Sequence, residues 1–275
     1  MQTELHIQPM QPPASNPILC IVGPTGAGKT HLAMSLAEYA KSTGLTIELI
    51  SMDSALVYRG LDIGSAKPTK AEQAAVTHHL IDILEPTEVY SAARFAKDAK
   101  KLCSEIVSRG HIPVIVGGTM LYWRALAYGL SSLPPANPQI RERLDEEGKR
   151  IGWPAMHAKL AAIDPVTAIR LEPNDSQRVQ RALEVYEITG KAMSALLAES
   201  PAEDGREGSD IPDWINLVSL EPSDRKQLHH NLEKRFDEML SAGFLDEVQL
   251  LRKNPNLHPD LPAIRSVGYR QAWEF

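Results

Sequence analysis

The chain has 275 residues, of which 43% are hydrophobic and 23% charged, and a formal net charge of −6 at pH 7. These values are typical of a globular protein that forms one large domain or one domain with a smaller insertion. The negative charge argues against broad, non-specific nucleic-acid binding but is compatible with a local basic surface. No apolar run approaches the roughly 18 residues that cross a bilayer, and two cysteines are too few for a disulfide framework.

Residues 1–16 are rich in Pro and Gln and lack the basic and apolar blocks of a signal peptide. We therefore expect a disordered lead at residues 1–16 and a cytoplasmic protein without a membrane association.

Short apolar runs alternate with helical patterns along the chain, which indicates an α/β fold with a parallel sheet. Strands are predicted at residues 18–22, 46–51, 112–116 and 214–220. Helices are predicted at residues 31–41, 92–108, 176–189 and 224–242. Cys20 lies inside the first strand, where a small buried hydrophobe is favoured over a redox role.

The composition changes near residue 130, where a linker rich in Ser and Pro (131–138) opens a charged helical pattern that continues through residue 171. We predict that residues 17–129 form the first part of the α/β core and residues 130–172 a smaller helical insertion. Residues 173–275 then form the remainder of the core and the C-terminal helices, with a surface loop at 198–213. The chain stops at Phe275 inside a predicted helix, so we expect it to be truncated.

Residues 23–30 read GPTGAGKT and fit the phosphate-loop pattern G-x-x-x-x-G-K-[ST], between a predicted strand and a predicted helix. Backbone N–H groups and the helix N-terminus favour phosphate oxygens, Lys29 reaches the outer phosphate, and the Thr30 hydroxyl is expected to hold Mg²⁺. The pattern predicts a P-loop NTPase-like sheet flanked by helices, but it does not identify the phosphate compound. The predicted diphosphate- or nucleotide-binding residues of the loop are Gly23, Pro24, Thr25, Gly26, Ala27, Gly28, Lys29 and Thr30.

The strand that should carry the Mg²⁺-binding carboxylate of an ATP-dependent enzyme ends instead in Gly117-Gly118-Thr119. The available acid is Asp53, after the strand at residues 46–51. Because the carboxyl ends of parallel strands line the ligand crevice, Asp53 should face the phosphate loop; the alternative is a helix or turn cap. The missing carboxylate weakens the interpretation as an ATP-dependent kinase.

Several segments resemble those of bacterial tRNA dimethylallyltransferases in order and spacing. They are GPTGAGKT, MDSALVYRGLDIGSAKPT, HHLIDILEPTEVYSAARF, VIVGGTMLYWRAL, NDSQRVQRALEVYEITGK and IRSVGYRQAW. The resemblance extends from residue 18 to residue 275. It implies transfer of a dimethylallyl group from dimethylallyl diphosphate to N6 of adenosine 37, beside the anticodon, in tRNAs that read codons beginning with U. The products are N6-dimethylallyladenosine and diphosphate.

The resemblance also implies roles for individual residues. Asp53 matches the general base, Thr119 matches a threonine that seats the target base, and Arg235 matches an arginine that contacts the diphosphate. Without the resemblance, Thr119 is a possible helix cap and Arg235 a solvated helix charge. These three are the predicted catalytic residues.

Further positions match segments that contact the anticodon stem-loop of tRNA. Arg178 and Arg181 lie three apart on one helix face, where the alternative is an exposed basic patch, and Gln177 and Gln180 are suited to base edges. The predicted tRNA-binding residues are Asp53, Ser54, Ala55, Leu56, Thr119, Arg141, Gln177, Arg178, Val179, Gln180, Arg181, Arg265, Ser266, Val267, Gly268, Tyr269 and Arg270. Leu56 and Ser266 depart from the Gln and Cys common in the family, which puts base readout at position 56 in question.

Three other functions stay open at this point. A small-molecule kinase would use the same loop for ATP, an adenylate isopentenyltransferase would prenylate a free nucleotide, and an RNA-binding module would perform no chemistry. The segments QRVQR and RSVGYR favour an RNA acceptor over a free nucleotide. We expect a monomer that uses Mg²⁺, dimethylallyl diphosphate and tRNA.

Overall fold

The computed structural model of the chain describes residues 17–129, 133–199 and 211–275. Within them the chain forms two compact units: a larger one made of residues 17–129 and 211–275, and a smaller one made of residues 133–199. The predicted disordered lead and residues 200–210 of the predicted surface loop lie outside the described residues. No helix in the described ranges combines the length and apolarity needed to span a membrane.

The secondary structure consists of short strands and longer helices. The strands are β1 (Ile18–Val22), β2 (Ile47–Met52), β3 (His78–His79), β4 (Ile112–Gly117) and β5 (Ile215–Ser219). The helices are α1 (Lys29–Ser42), α2 (Lys70–Ala75), α3 (Ala92–Ser108), α4 (Met120–Ala127), α5 (Pro138–Ile151), α6 (Trp153–Ile163), α7 (Pro165–Ala168), α8 (Ser176–Thr189), α9 (Met193–Glu199), α10 (Arg225–Ser241), α11 (Phe244–Arg252) and α12 (Tyr269–Glu274).

All five strands belong to one parallel sheet in the order β3-β2-β4-β1-β5. The predicted parallel α/β fold is confirmed, and the four predicted strands correspond to β1, β2, β4 and β5. The sequence analysis missed β3 because two residues are too few to produce a hydrophobic period.

The carboxyl ends of three neighbouring strands are level with one another. Gly117, the last residue of β4, is the register partner of both Val22 on β1 and Met52 on β2. The residues that follow these partners, Gly23 and Asp53, therefore leave the sheet at the same edge.

Helices cover both faces of the sheet. The alanines of α1, Ala33, Ala37 and Ala40, pack against Ile47 and Leu49 of β2 on one face, where small side chains let the helix approach the sheet closely. The opposite face carries α3, whose buried side chains include Phe95, Cys103 and Ile106.

The two cysteines are buried in this core. Cys20 on β1 and Cys103 on α3 are at most 1% exposed, and burial raises the pKa of each thiol to about 12. Both thiols are therefore neutral at physiological pH. The prediction that Cys20 is a small buried hydrophobe is confirmed.

The smaller unit has its own apolar core and extends beyond the predicted end of the insertion. Val179 and Leu183 of α8 pack with Leu144 of α5 and with Met156 and Leu160 of α6. The predicted boundary at residue 172 is wrong, because α8 buries its apolar face against these helices and belongs to the same unit.

A buried carboxylate on β2 binds side chains from β3 and from the turn that precedes β4. Glu48 of β2 is 4% exposed, and its oxygens lie 2.6 Å from Nε2 of His79 and 2.6 Å from Nδ1 of His111. Arg109 donates to both oxygens, at 3.2 and 2.8 Å. Burial by itself would raise the pKa of Glu48, but these hydrogen bonds outweigh it and lower the pKa to about 2.

We predict that Glu48→Gln destabilises the protein at pH 7 by on the order of 3 kcal/mol, because it removes the charge from a buried network. The folded-state pKa lies below the ordinary value of 4.5, so the ionised carboxylate contributes its full stability above about pH 4.5. That contribution is lost as the pH falls toward 2. Urea unfolding of both proteins at pH 7, 4.5 and 3 measures the difference in unfolding free energy, with the exposed Glu38→Gln as control; an equal difference at pH 7 and pH 3 contradicts the prediction.

Candidate functional site

The phosphate loop joins β1 to α1 at the level edge of the sheet. Lys29, the first residue of α1, donates from Nζ to the carbonyl oxygens of Gly23 and Pro24, both at 2.8 Å. Burial lowers the pKa of Lys29, the carboxylate of Asp53 opposes that change, and the guanidinium of Arg235 adds to it. The three charged groups are thus close enough to interact, as the sequence analysis predicted for Asp53 and the loop.

Two glycines at the end of β4 make this proximity possible. A Cβ atom on Gly117 would lie 2.1 Å from the carbonyl oxygen of Met52, and one on Gly118 would lie 2.9 Å from the carbonyl oxygen of Gly23. Both distances are shorter than non-bonded atoms tolerate. Any side chain at either position would therefore push apart the loop that carries Lys29 and the turn that carries Asp53.

Asp53 stands directly after β2 and is partly buried. Its Oδ1 accepts a hydrogen bond from the backbone N–H of Ala55 at 2.8 Å, which is the local turn geometry that Asp side chains favour. Oδ1 of Asp53 therefore caps the turn, which was the alternative role considered for this residue. The same bond fixes the orientation of the carboxylate, while its charge acts on Lys29.

Thr119 occupies the position before α4, but its side chain does not cap that helix. Its Oγ1 instead accepts a hydrogen bond from the backbone N–H of Ser54 at 3.1 Å, and its own N–H donates to the carbonyl of Met52 at 3.3 Å. The alternative of a helix cap is wrong. Thr119 holds the end of β4 against the turn that begins at Asp53.

Helix α10 lies against the phosphate loop and carries Arg235. A Cβ atom on Gly26 would meet Leu232 at 3.0 Å and Leu228 at 3.2 Å. Arg235 lies three residues after Leu232, on the same helix face, and is partly buried. It is therefore placed beside the loop rather than on a fully solvated face. Thr30, the predicted metal ligand, is exposed in the first turn of α1.

The turn after Asp53 contains three predicted tRNA contacts. Ser54 is exposed, whereas Ala55 and Leu56 are partly buried. The carbonyl of Leu56 accepts a hydrogen bond from the N–H of Asp82 at 3.1 Å. The backbone of this turn is thus tied to neighbouring segments of the same unit.

In the smaller unit, two of the predicted tRNA contacts bind a carboxylate. Glu184 is fully buried, and Arg141 donates to both of its oxygens, at 2.9 and 3.0 Å. Arg181 donates to Glu184 at 2.7 Å and to the carbonyl of Pro134 at 2.6 Å. Gln180 donates to the carbonyl of Arg141 at 3.1 Å. These side chains hold α5 and α8 together, and their contact with tRNA stays a prediction.

The remaining predicted tRNA contacts on α8, at residues 177–179, differ in exposure. Gln177 is exposed, and so is Arg178, which pairs with Asp175 at 3.0 Å. Val179 has no exposed surface and belongs to the apolar core of the unit. The Val179 side chain is therefore not exposed to an RNA in this structure, and a contact between this position and tRNA stays a prediction.

The predicted RNA-contacting segment at residues 265–270 precedes and enters α12. Val267 is 89% exposed, Arg265 and Ser266 are partly buried, and Arg270 is exposed; Gly268 sits at the start of the helix with φ of 90°. Tyr269, by contrast, is 1% exposed. The Tyr269 side chain is therefore buried and not exposed to an RNA in this structure, and a contact between this position and tRNA stays a prediction.

The sequence analysis missed some residues that shape the site. Gly117 and Gly118 were noted only as a strand end without a carboxylate, although paired glycines after a buried strand can signal a close backbone approach. Leu228 and Leu232 form an i, i+4 apolar pair one turn before Arg235, a spacing that indicates which helix face is covered.

Comparison with known proteins gives consistent matches. Residues 56–275 match the family model described as IPP transferase. The chain is 81% identical over 275 residues to a tRNA dimethylallyltransferase of Polynucleobacter asymbioticus, a match that covers 100% of this chain and 83% of the relative. It is 53% identical over 268 residues to a tRNA dimethylallyltransferase of Cupriavidus taiwanensis, covering 97% of this chain and 81% of that one.

Solved structures give the same picture. The full-length tRNA isopentenylpyrophosphate transferase of Bacillus halodurans superposes with a TM-score of 0.57 and 35% identity, over 94% of this chain and 77% of that one. A eukaryotic dimethylallyltransferase acting on tRNA superposes with a TM-score of 0.66 and 29% identity, over 87% of this chain and 56% of the other.

We predict that Gly118→Ala weakens the binding of inorganic diphosphate about tenfold, a change of about 1.4 kcal/mol, because the added methyl group displaces the carbonyl of Gly23. Calorimetric titration measures this affinity. Gly110→Ala is the control: its φ is 76° and nothing lies within 4 Å of the added atom. The control should lose about 1 kcal/mol of stability and keep its affinity, whereas an equal loss of affinity in both variants would contradict the prediction.

Proposed function

The chain belongs to the IPP transferase family, and we propose that it transfers the dimethylallyl group of dimethylallyl diphosphate to N6 of adenosine 37 in tRNAs that read codons beginning with U. The products are N6-dimethylallyladenosine and diphosphate. The observation that carries the proposal is the single sheet edge where the phosphate loop, Thr119 and Asp53 meet. One site then offers cations to a leaving diphosphate and a carboxylate to a nucleophile.

On the donor side, the bond that breaks joins C1 of the dimethylallyl group to the diphosphate oxygen. The oxygen keeps the electron pair, so negative charge grows on the diphosphate in the transition state. Lys29 and Arg235 stand where they can stabilise that charge, together with the N–H groups of the loop. The guanidinium of Arg235 contributes to the lowered pKa of Lys29, which supports the placement of both cations around one ligand.

On the acceptor side, N6 of adenine forms the new bond to C1 and must lose a proton. An exocyclic amine is a weak nucleophile because its lone pair is delocalised into the ring. Asp53 accepts that proton as the general base, and the hydrogen bond from Ala55 keeps the carboxylate in place. Thr119, bonded to the N–H of Ser54, sets the distance between this turn and the strand end.

The residues present fit a Mg²⁺ ion at the diphosphate. Thr30 offers an exposed hydroxyl in the first turn of α1, and Ser51 has a buried hydroxyl that finds no hydrogen-bond partner among the described residues. Ser51 is paired with Val116 on the face that α1 covers. Hydroxyl oxygens suit Mg²⁺, which usually takes few protein ligands and binds substrate phosphates. When bound, the ion would neutralise charge on the departing diphosphate.

The anticodon stem-loop of tRNA is the proposed partner. Exposed Gln177 and Arg178 suit single-stranded bases and backbone phosphates, and Arg265 and Arg270 add positive charge in the larger unit. Lys29, Asp53, Thr119 and Arg235 all belong to that unit, so a monomer has every proposed catalytic group. We also propose that the enzyme works in the cytoplasm, with its tRNA acceptor.

The choice of acceptor is tested by incubating the protein with Mg²⁺, dimethylallyl diphosphate and either tRNA or AMP. We expect mass spectrometry of the digested nucleosides to find N6-dimethylallyladenosine from tRNA and unmodified AMP. Prenylated AMP with unmodified tRNA would overturn the proposal in favour of an adenylate isopentenyltransferase.

The role of Asp53 is tested with Asp53→Ala and Asp53→Asn. Loss of the general base should lower the transfer rate about 10²- to 10⁴-fold, while binding of inorganic diphosphate survives because the cations of the loop remain. Rates come from single-turnover assays with radiolabelled donor, and affinity comes from calorimetry. Asp246→Asn, at an exposed carboxylate of α11, is the control; a full rate in either Asp53 variant removes this residue as the base.

A further inference from the structure

Glu247 of α11 accepts hydrogen bonds from three successive backbone N–H groups. Its Oε2 accepts from Asp62 at 2.9 Å and from Ile63 at 2.8 Å, and its Oε1 accepts from Gly64 at 3.2 Å. Hydrogen bonds to an ionised carboxylate are stronger than those between neutral groups. One side chain therefore fixes the backbone of a loop from which it is separated by 183 to 185 residues.

Tyr269 completes the contact from the other side. Its hydroxyl donates to Oε1 of Glu247 at 2.5 Å, and its ring packs edge-on against Phe244 with the centroids 5.2 Å apart. A Cβ atom on Gly64 would lie 2.2 Å from Phe244 and 2.8 Å from Tyr269. Both rings are therefore pressed directly onto the backbone of Gly64.

The loop held in this way is continuous with the turn of Asp53. The N–H of Tyr58 donates to the carbonyl of Ala55 at 3.2 Å, and Lys67 donates from Nζ to the carbonyl of Tyr58 at 2.7 Å. Lys67 also pairs with Asp62 at 2.6 Å, and only 3% of its side chain is exposed. Residues 53–67 thus form one hydrogen-bonded segment, with Asp53 at one end and the contacts to Glu247 at the other.

Tyr269 lies within the segment at residues 265–270, where the exposed Val267 and Arg270 flank it. Packed and hydrogen-bonded groups connect this segment to the turn of Asp53: Tyr269 binds Glu247, and Glu247 binds the loop at residues 62–64. Tyr269 therefore contacts the interior of the protein, whereas its exposed neighbours face solvent.

We propose that Glu247 and Tyr269 are positioning residues that couple the C-terminal segment at residues 265–270 to the turn that carries Asp53. The proposal rests on the proposed function, in which that segment contacts tRNA. Tyr269, Glu247 and the loop at residues 62–64 then connect the segment that holds the RNA to the carboxylate that deprotonates its adenine. Binding of the RNA to this segment and correct placement of the Asp53 carboxylate are then coupled.

The experiment uses the full chain with Tyr269→Phe and Glu247→Gln. The first change removes only the hydroxyl. The second replaces one of the two carboxylate oxygens with an NH2 group, which cannot accept a hydrogen bond from any backbone N–H of residues 62–64. Tyr39→Phe, at a tyrosine that is 68% exposed on α1, and Asp246→Asn, at an exposed neighbour on α11, are the matched controls. Hydrogen–deuterium exchange of residues 62–64 is measured together with kcat, KM and the thermal midpoint.

We expect exchange at residues 62–64 to become about tenfold faster in both variants, the equivalent of one hydrogen bond to a charged group. We also expect kcat with tRNA to fall about tenfold, while KM for dimethylallyl diphosphate changes less than about twofold, because the phosphate loop is untouched. The controls should match the unmodified protein in exchange, kcat, KM and thermal midpoint.

Unchanged exchange at residues 62–64 in Tyr269→Phe overturns the proposal. Faster exchange with an unchanged kcat at a temperature well below the thermal midpoint overturns it too, because the contact would then be structural only. Absence of transfer by the unmodified protein would contradict the proposed function instead; the exchange rates then decide separately whether Glu247 and Tyr269 hold the loop.

Discussion

The close approach of three backbone segments at one edge of the sheet governs the rest of the site. Gly117 is level with Val22 on one side and Met52 on the other, and a side chain on Gly117 or Gly118 would collide with backbone oxygens. This packing brings the phosphate loop and the turn of Asp53 within electrostatic reach of each other. Helix α10 packs against the phosphate loop at Gly26, and Thr119 binds the turn that follows Asp53.

The arrangement explains how a phosphate loop can serve prenyl transfer. Enzymes that transfer a phosphoryl group need a carboxylate to complete the Mg²⁺ site beside the loop, but β4 ends in glycines and Thr119. The carboxylate of Asp53 follows β2, the strand next to β4, and in the proposed function it acts on a nucleophile instead of a metal. In the proposed function, Lys29, Arg235 and the N–H groups of the loop stabilise the diphosphate that leaves.

Local patterns predicted much of the fold, because strand and helix periods and the phosphate-loop spacing are local properties of the sequence. The resemblance supplied the assignment of Asp53, Thr119 and Arg235. The rest depends on contacts between distant residues. Nothing near Glu184 indicates that Arg141 and Arg181 would bind it. Val179 and Tyr269 were assigned to tRNA binding because they lie inside segments that match the family, and such a match does not show which side chains of a segment are buried. Glu247 lies in an ordinary amphipathic helix, and only the folded structure reveals the loop that it holds.

The central claim is that the phosphates held by the loop leave while a carbon chain moves. The most direct measurement follows the inorganic diphosphate released from labelled dimethylallyl diphosphate against the dimethylallyl groups gained by tRNA, with γ-labelled ATP present as a competitor. The account predicts one diphosphate released for each dimethylallyl group transferred and no label moved from ATP. Transfer of the γ-phosphate to an acceptor, with no diphosphate released from the prenyl donor, would contradict it.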